Sequence, residues 1–193
     1  MAADPTATLA LAVRAEQLAE YLRAATRVAA RSTGSWRYGC YEDLVLQRGR
    51  SMPGQRRPAG VPRGPSGECF RNAGRLAMRG HRYAEGFALP EHGVPVLHAW
   101  CLDGRGRVID PTWEVPERAV YFGVPLPIEL VLTASLRHGS WGVFGNDHHD
   151  DFRLLRGGLA AEDPTGPGGR GGRHRPLSRG HVSPAATPEP PGL

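Results

Sequence analysis

Three residues in this 193-residue chain have the types needed for nucleophilic chemistry: Cys69 in GECFRNA, His98 in HAW and Asp110 in VIDPTW. A cysteine thiolate attacks an acyl carbon, and a histidine accepts and returns the proton. A carboxylate then holds that histidine in one tautomer and stabilises its charged form. Taken singly, each residue has an ordinary explanation. Free cysteines are usually small buried hydrophobes, a histidine can be a satisfied core residue, and Asp110 can be a turn residue before Pro111. Their order and spacing join them into a candidate triad.

The elements that must position them can be read from the pattern. After Pro65-Ser66-Gly67, residues Phe70, Ala73, Leu76 and Ala77 share one face of a short helix, with Ser66 or Gly67 as its cap. Cys69 then falls in the first turn, where unpaired N–H groups and the helix dipole favour a thiolate. Runs 83–89, 96–102 and 108–113 are rich in β-branched, aromatic and aliphatic residues and are separated by Gly or Pro turns, which predicts three antiparallel strands. Across the DGRG turn, a three-residue loop (103–105 or 104–106) puts His98 and Asp110 on one sheet face, whereas an even loop without a bulge separates them. Gly104 and Gly106 favour the bulged odd loop. The same parity sends Leu97, Ala99, Cys101 and Ile109 to the other face, making Cys101 structural.

Around this core, several residues are candidates for supporting roles. An oxyanion needs preorganised donors, of which the nucleophile's own N–H is usually one. Gln47 and Asn72 have suitable amide side chains for the second. In YAEGF, Glu85 is a candidate to bind a polar group of the substrate or to support the residues that do the chemistry, and Gly86 to permit close approach; an exposed carboxylate and a strand bulge are the ordinary alternatives. Trp100 and Trp113 could wall a cleft, and its same-face position favours Trp100.

Further out, apolar residues at three- and four-residue steps predict an amphipathic helix over 8–30 that covers the domain. The Arg-, Pro- and Gly-rich stretch 48–67 predicts a loop, and 127–137 a helix that stops at Gly139. From 157 to 193 the chain has almost no large apolar residues, which predicts a disordered tail. The expected organisation is therefore an N-terminal helix and lead-in over 1–66, a catalytic core over 67–156 and the tail.

Composition narrows the classes. Arginine supplies every one of the 24 basic residues and the net charge is +5, yet these arginines are scattered without an aromatic-interleaved stripe, so nucleic acid is not an expected partner. Three cysteines without a CxxC pair do not make a disulfide scaffold. The N-terminal segment lacks a basic region followed by an apolar run, and no segment approaches a membrane span, which predicts a cytoplasmic protein with reduced thiols. NDHHDD at 146–151 offers adjacent histidines, but without an HExxH or paired CxxC pattern no metal is expected. A P-loop and a dinucleotide fingerprint are absent, so no cofactor is expected.

GECFRNAGRLA, YAEGF, HAW and VIDPTW, in that order, resemble the core of the transglutaminase-like superfamily within the broader papain-like group. The resemblance spans residues 67–113. It implies an α+β fold with a cysteine-bearing helix packed on a small antiparallel sheet, and it places nucleophile, histidine and aspartate on Cys69, His98 and Asp110. It further implies a thiol hydrolase (protease or amidase) or acyltransferase that acts on an amide, isopeptide or thioester in a peptide, protein or small acyl substrate. The long catalytic domain, additional β-domains and calcium sites of the large animal transglutaminases are missing, so hydrolysis is expected over cross-linking. The alternative is a non-catalytic peptide- or protein-binding module on the same scaffold.

Overall fold

Residues 5–29 and 36–159 are described by the structure, a computed structural model. In chain order the elements are α1 (Pro5–Ala29), α2 (Tyr41–Arg48), β1 (Arg50–Pro53), α3 (Cys69–Ala77), β2 (Arg82–Leu89), β3 (Val96–Leu102), β4 (Val108–Ile109), β5 (Val120–Leu126), α4 (Ile128–His138) and α5 (Arg153–Gly157). Short 3-10 turns occupy Pro116–Arg118 and Phe144–Asp150. The strands form a curled, half-barrel antiparallel sheet in the order β1-β5-β2-β3-β4, so the fold is mixed α plus β.

The two sheet faces are covered differently because their side chains differ. Tyr83, Phe87, Ala99, Cys101, Val124 and Leu126 face the helices, and pack with Leu18 and Leu22 of α1, Leu44 and Val45 of α2, and Ala73 and Leu76 of α3. This is the main core. On the opposite face, Ala84, Ala88, Trp100, Leu102, Val108 and Tyr121 form a smaller core with Met52 and Ala119, and Trp113 packs against it. At the centre of that face Gly86 is registered between His98 on β3 and Gly123 on β5. A Cβ on Gly123 would come within 2.5 Å of the Trp100 ring, so the large rings of this face lie over a floor of glycine and alanine.

Several sequence expectations need correction. The stretch 48–67 is not all loop: Arg50–Pro53 adds β1 to the sheet, with Met52 buried opposite Tyr121. Within 1–66, α1 and α2 pack Leu18, Leu22, Leu44 and Val45 into the main core and β1 packs Met52 into the smaller one. Strand β4 stops at Ile109 rather than 113, because Pro111 lacks an N–H and the Asp110 carboxylate takes the N–H groups of Thr112 and Trp113 at 2.7 and 3.2 Å. Sequence reasoning missed α2 and β5. In β5, Gly123 and Pro125 masked the strand signal; Pro125 is tolerated because β1 pairs no further along β5 than Gly123, leaving one side open there. Helix α4 does stop at Gly139, which adopts the left-handed conformation at φ 69°. The expected disordered tail lies, from residue 160 onward, outside the described residues.

Candidate active site

Helix α3 starts at Cys69 itself. Gly67, at φ 79°, turns the chain, and Glu68 takes the cap position without a side-chain cap bond, so neither Ser66 nor Gly67 is the cap. The first intrahelical bond runs from the Asn72 N–H to the Glu68 carbonyl at 2.8 Å. The N–H of Cys69 therefore belongs to the helix's unpaired first turn and is available to an oxyanion. Cys101, on the helix-facing side of β3, donates its thiol to the Ala73 carbonyl at 3.2 Å and ties α3 to the sheet. Burial, with the nearby Asp110 charge, pushes the Cys101 thiol up to about 12, consistent with an unreactive structural thiol.

The hairpin that carries His98 and Asp110 has an odd loop. Leu102 pairs with Val108, and the Asp103 N–H continues the ladder to the Arg107 carbonyl at 3.0 Å. Gly104, Arg105 and Gly106 remain as the loop, with Gly106 left-handed at φ 74°. This register places Asp110 across from Trp100 and diagonal to His98 on one face. His98 Nε2 lies 2.8 Å from Asp110 Oδ2, and both side chains are buried.

Asp110 is held at both oxygens. Oδ2 also accepts the Tyr121 hydroxyl at 2.9 Å, while Oδ1 accepts the two backbone N–H groups. Burial disfavours its charge, but these donors and the His98 imidazole outweigh it and hold the carboxyl below its usual value. For His98, burial pulls the proton affinity down. Hydrogen bonds and charge from Asp110 and Cys69 more than reverse this, raising it to about 9. The Cys69 thiol lies near enough to the imidazole to act on its charge. It gets there because β4 is too short to pair with β3 at His98: Thr112, which would stand opposite His98, instead accepts an N–H from Asn72 of α3 at 3.1 Å, so the helix start fills the sheet edge.

Other sequence candidates sit elsewhere or do other work. Glu85 is fully buried on the helix-facing side and accepts the Tyr83 hydroxyl at 2.8 Å and the Val143 and Phe144 N–H groups at 2.6 and 2.9 Å. It anchors the 143–144 segment to β2 and is not a substrate ligand. Gly86 permits close approach of β5, not of a substrate, since a Cβ there would stand 2.2 Å from the Phe122 carbonyl oxygen. Trp100 is wholly buried over Gly123, so it supports the site from below and walls no cleft. The ring that covers the imidazole is the half-buried Trp113, stacked on His98 at 4.3 Å and 23°. Asn72 spends its amide hydrogens on Pro65 and Thr112, and Gln47 lies exposed on α2 with its amide bonded to Asp43 at 2.8 Å. Neither is held as an oxyanion donor.

Sequence reasoning missed Tyr121 as the residue bonded to Asp110, because the strand bearing it was not recognised. Trp141, which packs edge-on against Gly74 of α3, also went unnoticed. Among the described residues no group of three or more His, Cys, Asp or Glu side chains could hold a metal ion, and no helix is long and apolar enough to cross a membrane. No protein-family model, curated protein or solved structure matches the chain.

Proposed function

We propose that the chain is a cysteine-dependent acyl hydrolase or transferase on a papain-like, transglutaminase-like core, with Cys69 as nucleophile, His98 as acid–base and Asp110 as its orienting carboxylate. The observation that carries this reading is His98 itself: a buried imidazole bonded to Asp110 at 2.8 Å, with the partly exposed Cys69 near enough to act on its charge. Asp110 occupies Nε2, which leaves Nδ1 for Cys69. With its proton affinity raised to about 9, His98 is protonated at neutral pH, and an imidazolium favours a neighbouring thiolate.

In the proposed reaction Cys69 Sγ attacks the acyl carbon, and the oxyanion takes the free N–H of the helix start. His98 gives its proton to the departing amine or thiol as the C–N or C–S bond breaks, leaving an acyl-enzyme. Water, or an acceptor amine, then gives a proton to His98 and attacks the thioester, releasing acid or amide and restoring the thiolate–imidazolium pair. Peptide, protein and small acyl donors all fit this chemistry.

Labelling with a thiol-directed acyl probe tests the proposal. Covalent modification should map to Cys69, vanish in Cys69→Ala and fall at least tenfold in His98→Ala. Wild-type protein that resists the probe, with Cys69→Ala retaining full biological activity, would instead identify a binding module on this scaffold.

A further inference from the structure

A concavity lies beside α3, lined by its residues Asn72, Arg75 and Leu76. It is a cleft of about 170 Å³ between the end of α3 and the segment 61–65. Its apolar surfaces come from Val61, Leu76 and Pro111, and three guanidinium groups, Arg63, Arg75 and Arg79, stand around it. The segment is fixed by the Gly64 N–H bonding the Pro111 carbonyl at 2.7 Å and by Asn72 bonding the Pro65 carbonyl at 2.8 Å. Asn72 lines the cleft and also bonds Thr112, whereas neither Cys69 nor His98 is among the lining residues.

Among the described residues the charge around the cleft is only partly balanced. Arg75, in the last turn of α3, and Arg79, two residues beyond its end, are both exposed, and neither has an ion-pair partner among the described residues. Arg63 pairs with Glu114 at 3.4 Å, but both are exposed and the pair is screened by solvent. The negative end of the helix offsets only about half a charge. Three fork-shaped donors among the residues lining a largely apolar slot are complementary to an oxyanion head on a hydrocarbon body. The size agrees, since a cavity of about 150 Å³ can admit benzene.

We infer that this cleft binds a small organic anion, with its carboxylate or phosphate on Arg63, Arg75 and Arg79 and its apolar body against Leu76 and Pro111. The site is distinct from the Cys69 centre and does not depend on the acyl chemistry proposed for it. Its ligand would lie one residue from Asp110, through Pro111.

The test is a titration of the full ¹⁵N-labelled chain, at constant ionic strength, with benzoate, phenyl phosphate, their neutral counterpart benzamide, and inorganic phosphate. At least one aromatic anion should shift the amides of Gly64, Leu76 and Arg79 saturably, and whichever binds tighter identifies the head group. Benzamide should bind at least tenfold more weakly. Arg75→Gln/Arg79→Gln, whose exposed positions leave the fold and the dispersed spectrum intact, should weaken anion binding at least tenfold. Failure of both aromatic anions to saturate would overturn the inference, as would equal binding of benzamide, inorganic phosphate binding as tightly as phenyl phosphate, or undiminished binding by the double variant.

Discussion

Replacing Asp110 by Asn changes one atom at the buried centre of the site and has consequences that can be worked through. Oδ1 would still accept the N–H groups of Thr112 and Trp113, so the turn after β4 survives. At the other position an NH2 group would face His98 Nε2, which must then become an acceptor and send its proton to Nδ1. The lone pair facing Cys69 is lost with that change of tautomer. Burial, the largest influence on His98, would act with much less opposition, so its proton affinity should fall from about 9 to below the ordinary 6.5. At about 1.4 kcal/mol per pH unit, that gap is worth about 3 kcal/mol of folding stability. The sign follows from a raised folded value: the contribution is fully present below 6.5 and disappears as pH rises through about 9. Wild type should therefore lose about 3 kcal/mol across that window while Asp110→Asn does not, and the two should differ more at pH about 6 and below than at pH about 9. Denaturant titrations at several pH values, with the His98 ring followed by NMR, measure both quantities. A ring that still titrates near 9 in Asp110→Asn, or at 6.5 or below in wild type, would refute the reasoning.

Tyr121→Phe removes one of two donors to Asp110 Oδ2 and should cost about 1–2 kcal/mol, with the His98 titration moved but Asp110 still bonded to it; denaturation and ring NMR report each part. Gly123→Ala forces a Cβ to 2.4 Å from the Glu85 carbonyl oxygen and 2.5 Å from the Trp100 ring, so a thermal melt should show a loss of about 1–3 kcal/mol or failure to fold. Glu85→Gln turns an acceptor pair into one acceptor and one donor, leaving Val143 or Phe144 with an unsatisfied N–H; a loss of about 2 kcal/mol and faster exchange at those amides are expected, with Cys69 labelling by the acyl probe retained. Loss of labelling without loss of stability would return Glu85 to the substrate.

What was legible in the sequence was local. The apolar stripe of α3, the ends of β3 and the glycine stop of α4 follow from neighbours a few residues apart, as does the parity that puts His98 and Asp110 on one face. Residues whose role depends on distant partners were not legible. Glu85 looks like any exposed carboxylate until Val143 and Phe144, nearly sixty residues on, bring their N–H groups to it. Trp100 and Trp113 have equal claims as aromatics, and only the curled sheet decides that one is sealed over glycine while the other lies on the imidazole. Tyr121 was hidden because a strand interrupted by Gly and Pro has no clear period of its own, and its pairing with β1 and β2 supplies what the local pattern lacks.

The stacking of Trp113 on His98 has an optical consequence. A protonated imidazole against an indole face is a cation–π partner, and it also quenches the excited indole by accepting an electron. At 4.3 Å the two rings are close enough for both effects. Trp113 should therefore be dim while His98 carries its proton and brighten as the proton leaves, whereas Trp100, at 6.4 Å, responds less. The chain thus holds a built-in fluorophore for the charge state of its buried histidine, readable without a label.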